Sequence, residues 1–173
     1  MEKEIVKKII YSRRSIRKFK DIPVSDSDIK LLLQFGMSGP TACLKKPWKF
    51  YVVTNGDVLE KLKSVTKFSN MNAKCAIIVC GDLNKSLTKE PNDYWIQDCS
   101  AAIENILLGA EGIGLGGCWI GLYPVARAVK RMRNILNIND CNIVPLGMVY
   151  IGHKGEEKEP STYYDENNVY YIK

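Results

Sequence analysis

Ile5, Val6, Ile9 and Ile10 recur three and four residues apart among charged neighbours, which predicts a short amphipathic helix over the first eleven residues. A second helix is predicted after Pro23, with Ser25 as N-cap and Asp28 as its partner three residues on, running through Leu31, Leu32 and Phe35 to Gly36. A polar loop punctuated by Pro40 and Pro47 follows, and Phe50 to Thr54 reads as a strand. Asp57 to Val65 reads as a helix. The continuous β-branched run Ala76, Ile77, Ile78, Val79 has the pattern of a strand buried on both faces. Between Cys99 and Ala110 the apolar residues Ala102, Ile103, Ile106, Leu107 and Ala110 form a broad stripe, as in the central helix of a packed core. A glycine-dense turn then leads to a strand at Cys118 to Leu122, an amphipathic helix at Val125 to Leu136, and a closing strand at Ile143 to Ile151.

The turn itself, Gly112 to Gly117, formally matches the dinucleotide fingerprint G-x-G-x-x-G. That fingerprint works only where it follows a strand and opens a helix, so that phosphate meets the helix N-terminus. Here it follows a helix and precedes Trp119 and Ile120, which rules out a Rossmann reading. Two explanations of the glycines stay open: close packing after a helix end, or backbone brought against a flat ligand.

Charge changes the picture next. Residues 1 to 20 hold eight Lys/Arg and two Asp/Glu, whereas the remaining 153 hold seventeen of each, so the net charge of +6 is confined to the first segment. Arg13, Arg14, Ser15 and Arg17 crowd the end of that segment. Guanidiniums match phosphate bidentately and keep their charge, so the cluster points to a phosphorylated ligand. A second basic stretch, Arg127, Lys130, Arg131 and Arg133, reads as a solvated helix face, and we expect neither a nucleic-acid nor a membrane partner.

The chain of 173 residues, 46% hydrophobic, is long enough for one domain over residues 1–173. Residues 1 to 11 are charged where a secretion signal would be apolar, and most of the six cysteines lie in apolar runs, so we expect free thiols in a reducing cytoplasm. With no Cys-x-x-Cys and with His153 as the sole histidine, the chain lacks the parts for a zinc site, a Ser-His-Asp triad or a Cys-His pair. We expect no metal and no catalytic side chain; enzymatic chemistry would come from a cofactor.

Five stretches occur in register with one known family: Arg13 to Phe19, Pro23-Val24, Pro40-Thr41-Ala42 with Pro47 to Phe50, Gly114 to Trp119, and Pro145 to Gly152. In these the chain resembles the nitroreductase family of FMN-dependent oxidoreductases over nearly its whole length. The resemblance implies an α+β fold with a central mixed β-sheet flanked by helices, assembled as an intertwined homodimer with FMN at the interface. It implies hydride transfer from NADH or NADPH, through flavin N5, to a small electron-poor acceptor such as a nitroaromatic or quinone, with ping-pong kinetics. A flavin or quinone reductase, and a protein that holds flavin with little turnover, remain alternatives.

By the same resemblance, Arg13 and Arg14 lie at the FMN phosphate, Ser15 bonds to the flavin, and Arg17 reaches its ribityl or pyrimidine edge. The loop that includes Pro40, Thr41, Ala42, Leu44 and Lys46 lies near the isoalloxazine, and Leu115, Gly116 and Gly117 present backbone to it. Trp48 and Trp119 are expected to serve packing. The chain departs from the family where Leu44 and Lys46 replace Asn and Gln, and where Ser161 and Tyr163 stand in for basic residues near the C-terminus.

Overall fold

The computed structural model describes residues 2–87 and 93–173. Strands β1 (Trp48–Val53), β2 (Cys75–Asp82), β3 (Leu115–Gly121) and β4 (Ile143–His153) form one sheet in the order β1-β2-β4-β3. Every residue of β2 is buried, which accounts for its uninterrupted apolar run. Side chains of a strand alternate between faces, and β2 divides accordingly. Ala76, Ile78 and Cys80 join one core cluster, while Cys75, Ile77 and Val79 join the other.

Helices α1 (Glu2–Ser12), α2 (Asp26–Met37), α3 (Gly56–Leu62), α4 (Tyr94–Gly112) and α5 (Ala126–Ile135) flank the sheet. Leu59 and Leu62 of α3 and Ala128 and Met132 of α5 fill the first cluster, and Leu32 of α2 with Cys99, Ile103 and Ile106 of α4 fill the second. The layers are therefore helices, sheet, helices. The capping of α2 is as the sequence predicts, with Asp28 N donating to Ser25 Oγ at 3.1 Å. α1 lies against α4 but has no buried residue of its own.

All three ladders are antiparallel. The parallel component expected of a mixed sheet is reduced, among the described residues, to a single bridge between Ser15 and Gly117. Its extension is blocked because the next backbone donors, Arg17 and Lys18 N–H, are taken by the Glu156 carboxylate. The glycine turn is also shorter than its composition suggests. Only Gly114 adopts the left-handed conformation, at φ 81°, and β3 begins at Leu115.

Candidate active site: two cavities that meet at Arg17

The basic segment runs in extended form along the start of β3. Ile16 N donates to Gly117 O at 3.0 Å, and Lys20 N donates to His153 O at 2.9 Å. Ile16 is buried in the core, so the alternation of an extended chain leaves Ser15 and Arg17 facing away from it; the alternation ends at Lys18, and Phe19 is buried again. Asn72 fixes Phe19 from both sides, accepting from its N–H at 3.0 Å and donating to its carbonyl at 2.7 Å. Glycine at 116 permits this docking: a Cβ there would stand 2.8 Å from Ile16 Cγ1.

Ile10, Arg13, Arg14, Ser15, Arg17, Lys158 and Ser161 enclose a cavity of about 450 Å³. Four of its seven lining residues are cations. Arg13 Nε pairs with Glu104 at 3.4 Å, and the Arg14 guanidinium donates to the Glu159 carbonyl. Lys158 Nζ donates to Ser15 O at 2.7 Å and pairs with Glu156 at 3.4 Å. Glu156 in turn accepts the N–H groups of Arg17 and Lys18, and the Arg17 N–H above all holds its carboxyl below the ordinary value. The stretch from 156 to 161 thus fastens the arginine segment and supplies a fourth cation. Sequence reasoning missed Lys158: it looked for basic residues at 161 and 163, whereas the Glu156 contact brings position 158 into the cavity.

Arg17 also lines a second cavity, of about 970 Å³, walled by Cys118, Trp119, Ile120 and Gly121 of β3, by residues between Ser64 and Met71, and by α5. Its mixed lining, apolar at Val65, Phe68, Met71, Trp119 and Ile120 and cationic at Arg17 and Lys67, suits a planar organic ligand, and its size is that of small-molecule sites in general. A Cβ at Gly121 would meet nothing within 4 Å, so the backbone here is open to the cavity. Burial pushes the Cys118 thiol up, keeping it neutral. Trp119, expected to serve packing, both packs over Gly147 and faces the cavity.

Not every expected residue reaches these cavities. Leu115, Gly116 and Gly117 line neither, because Ile16, Lys154, Leu107 and Ile151 occupy the space beside the two glycines. Of the two explanations left open for these glycines, close packing is the one the contacts support, and the exposed stretch of β3 lies a few residues later. Pro40, Thr41, Ala42, Leu44 and Lys46 also line neither cavity. Their loop is docked on α4, where Ala42 N donates to Asp98 Oδ1 at 2.8 Å, and it is shaped by left-handed backbone at Cys43, Leu44 and Lys46. Leu44 is 80% exposed. Trp48 packs at the edge of the second core cluster. Arg127 and Arg131, read from sequence as a solvated face, form part of the large cavity's wall.

Comparison with known proteins agrees with this geometry. The sequence model described as "Nitroreductase family" matches residues 10–69 and 65–153, spanning the arginine segment and all four strands. A protein of Archaeoglobus fulgidus with the provisional name NADH dehydrogenase/NAD(P)H nitroreductase is 44% identical over 154 residues, 88% of this chain and 87% of its own. The solved structure of a provisionally named NADH oxidase from Clostridium acetobutylicum superposes with a TM-score of 0.88 at 33% identity, covering 95% of this chain and 99% of that one. An FMN-dependent nitroreductase from Clostridium difficile superposes with a TM-score of 0.80 at 30% identity, over 96% and 98% of the two chains. Sequence, sheet order and the arginine-lined cavity converge, and this chain belongs to the nitroreductase family.

Proposed function

We propose that this chain is an FMN-dependent oxidoreductase that takes hydride from NADH or NADPH and passes it to a small electron-poor acceptor such as a nitroaromatic or a quinone. The observation that supports it most is the shared wall at Arg17: a cation-lined cavity sized for a phosphate and ribityl arm opens beside a larger apolar one sized for a flat ring system. When bound, FMN supplies a site that accepts hydride and returns it. Arg13, Arg14 and Lys158 would hold the phosphate, and Ser15 the arm. Arg17, at the junction, would place positive charge where the reduced ring gains negative charge. The open backbone at Ile120 and Gly121 would face the ring without side-chain interference. The family relatives named for NAD(P)H oxidation and FMN dependence support donor and cofactor alike.

The same reading makes residues 1–173 one FMN-binding domain that works as an intertwined homodimer. Ile5, Val6 and Ile10 of α1 and Tyr163, Tyr164, Tyr170, Tyr171 and Ile172 of the tail are all exposed in the single chain, an extent of apolar surface that a partner subunit would cover. The loop from Pro40 to Lys46, remote from the chain's own cavities, would then meet the ring of the partner's site. Cys75, Cys80, Cys99 and Cys118 are buried free thiols, which fits a reducing, cytoplasmic location. Among the described residues no helix is long and apolar enough to cross a membrane.

Steady-state kinetics of the FMN-loaded protein with NADPH or NADH and a nitroaromatic or quinone acceptor test the reading. Parallel double-reciprocal lines are expected, since both substrates would use one cavity in turn. Intersecting lines would contradict the shared cavity, and absence of turnover would reduce the protein to a flavin holder.

A further inference from the structure

The large cavity holds more positive charge than one cofactor accounts for. Among the described residues its lining includes Arg17, Lys67, Arg127 and Arg131 and no Asp or Glu. Composition does not dictate this, because beyond residue 20 the chain has as many acids as bases. A single phosphate is already provided for by the smaller cavity, where Arg13, Arg14 and Lys158 converge. Lys67, Arg127 and Arg131 belong to the larger cavity alone.

These three are placed by structure. Arg127 and Arg131 are four residues apart on α5 and so share a face, which is exposed beside the buried Ala128 and Met132 that seat the helix on the core. Arg131 Nη1 donates to Ser64 O at 2.8 Å, which ties α5 to the segment that carries Lys67. Phe68, at 67% exposure, and Trp119 and Val125, also exposed, give the same cavity flat apolar walls. A cavity lined by apolar side chains and cations and, among the described residues, by no carboxylate is complementary to a planar molecule bearing an anionic group.

We propose that Lys67, Arg127 and Arg131 form an anion subsite for the second substrate, so that the molecule exchanging electrons in this cavity is itself anionic. The inference rests on the oxidoreductase reading for what the cavity does, but not for what it binds. Phosphate on the nicotinamide donor and carboxylate on an aromatic acceptor are both sources of such a group.

Calorimetric titration of the FMN-loaded protein separates them, using adenosine 2′,5′-bisphosphate against 5′-AMP, and 4-nitrobenzoate against nitrobenzene. Arg127→Gln and Lys67→Gln are the variants; both residues are exposed, and Arg131 is left in place because it also holds Ser64. Each lost charge is expected to weaken the favoured anion about tenfold, an effect that fades with added salt. Weakening of the bisphosphate alone assigns the subsite to a phosphorylated donor, and weakening of 4-nitrobenzoate alone assigns it to the acceptor. Equal affinity of parent and both variants for all four probes, or no preference of the parent for the more anionic member of either pair, overturns the subsite. A protein that shows no flavin-dependent turnover yet still loses anion affinity in Arg127→Gln would retain the subsite and sink the oxidoreductase reading.

Discussion

One oxygen of Glu156 accepts the backbone N–H of Arg17 at 2.5 Å, although the two residues are separated by 139 positions in the chain. The same oxygen accepts Lys18 N–H at 3.2 Å, and Lys158, which pairs with the carboxylate, donates to Ser15 O. The arginine segment therefore owes its shape to two adjacent stretches: the start of β3 beneath it and residues 156 to 158 beside it.

Glu156 is a positioning residue on this account, and its ionised form does the holding. Its pKa is depressed, first by the Arg17 N–H, so the stabilisation it contributes is complete above the unfolded carboxylate's value and is lost as pH falls through the lower folded value. Glu156→Ala is expected to weaken FMN binding by about 1.5 to 3 kcal/mol, the usual contribution of a hydrogen bond to a charged group, with Glu156→Gln intermediate. Fluorescence titration of FMN from pH 7 to below the ordinary carboxylate range checks both points: parent and Gln variant should converge only once pH has fallen through the depressed folded value.

Arg13 lines the smaller, cation-rich cavity while paired with Glu104 on α4. Arg13→Ala should cost about ten- to a hundredfold in FMN affinity, equivalent to roughly 1.5 to 3 kcal/mol, and leave the fold intact because the side chain is not part of either core cluster. Riboflavin, which lacks the phosphate, should bind parent and variant alike. Equal losses for both ligands would place Arg13 elsewhere than at the phosphate.

Asp98 is buried under the loop from Pro40 to Lys46, with Oδ1 accepting from Ala42 and Oδ2 without a partner among the described residues. Burial raises its pKa, against the smaller opposing effect of the Ala42 N–H. A raised folded pKa means that stability is greatest below the unfolded value and declines as pH rises through the folded one. Asp98→Asn keeps an acceptor for Ala42 but cannot ionise, so its stability relative to the parent should grow from pH 4 to pH 8. Thermal unfolding at both pH values measures the difference; a gap independent of pH would mean that Asp98 is not held against its charge.

Local patterning was enough to find each α-helix and strand of the described residues, because burial on one face or both leaves its pattern in each run: Ile5 to Ile10 at helical spacing, Ala76 to Val79 unbroken; it did not fix their ends, since α4 begins at Tyr94, five residues before Cys99, and β3 at Leu115, inside the expected turn. It was not enough to place the site. Arg13, Arg14, Ser15 and Arg17 were legible as a cluster since they are neighbours in sequence, but Lys158 enters through the Glu156 contact, which no local pattern encodes. Gly116 and Gly117 are ambiguous for a related reason. Their missing side chains make room for Ile16 and Leu107, and a glycine kept for packing looks the same in sequence as one kept for a ligand. The wall facing the large cavity, from Cys118 to Gly121, is hidden in an ordinary strand.

The proposed dimer would bury the exposed tyrosines of the tail and the unburied apolar face of α1 in an interface that stabilises the fold. Removal of residues 160–173 should lower the midpoint of thermal unfolding and make it more dependent on protein concentration, since association and folding are linked. Light scattering of the full-length chain should give twice the mass of 19.5 kDa. A stable monomer would leave the loop at Pro40 to Lys46 without a ring to meet.

The most direct measurement is an anaerobic titration of the FMN-loaded protein with NADPH or NADH, followed at the visible flavin absorption band. Loss of that band with one equivalent of donor per FMN, and its return on adding a quinone or nitroaromatic, is the expected result. A protein that fails to retain FMN, or one whose bound flavin stays oxidised with either nucleotide, would contradict the assignment of the two cavities at Arg17 to flavin-mediated hydride transfer.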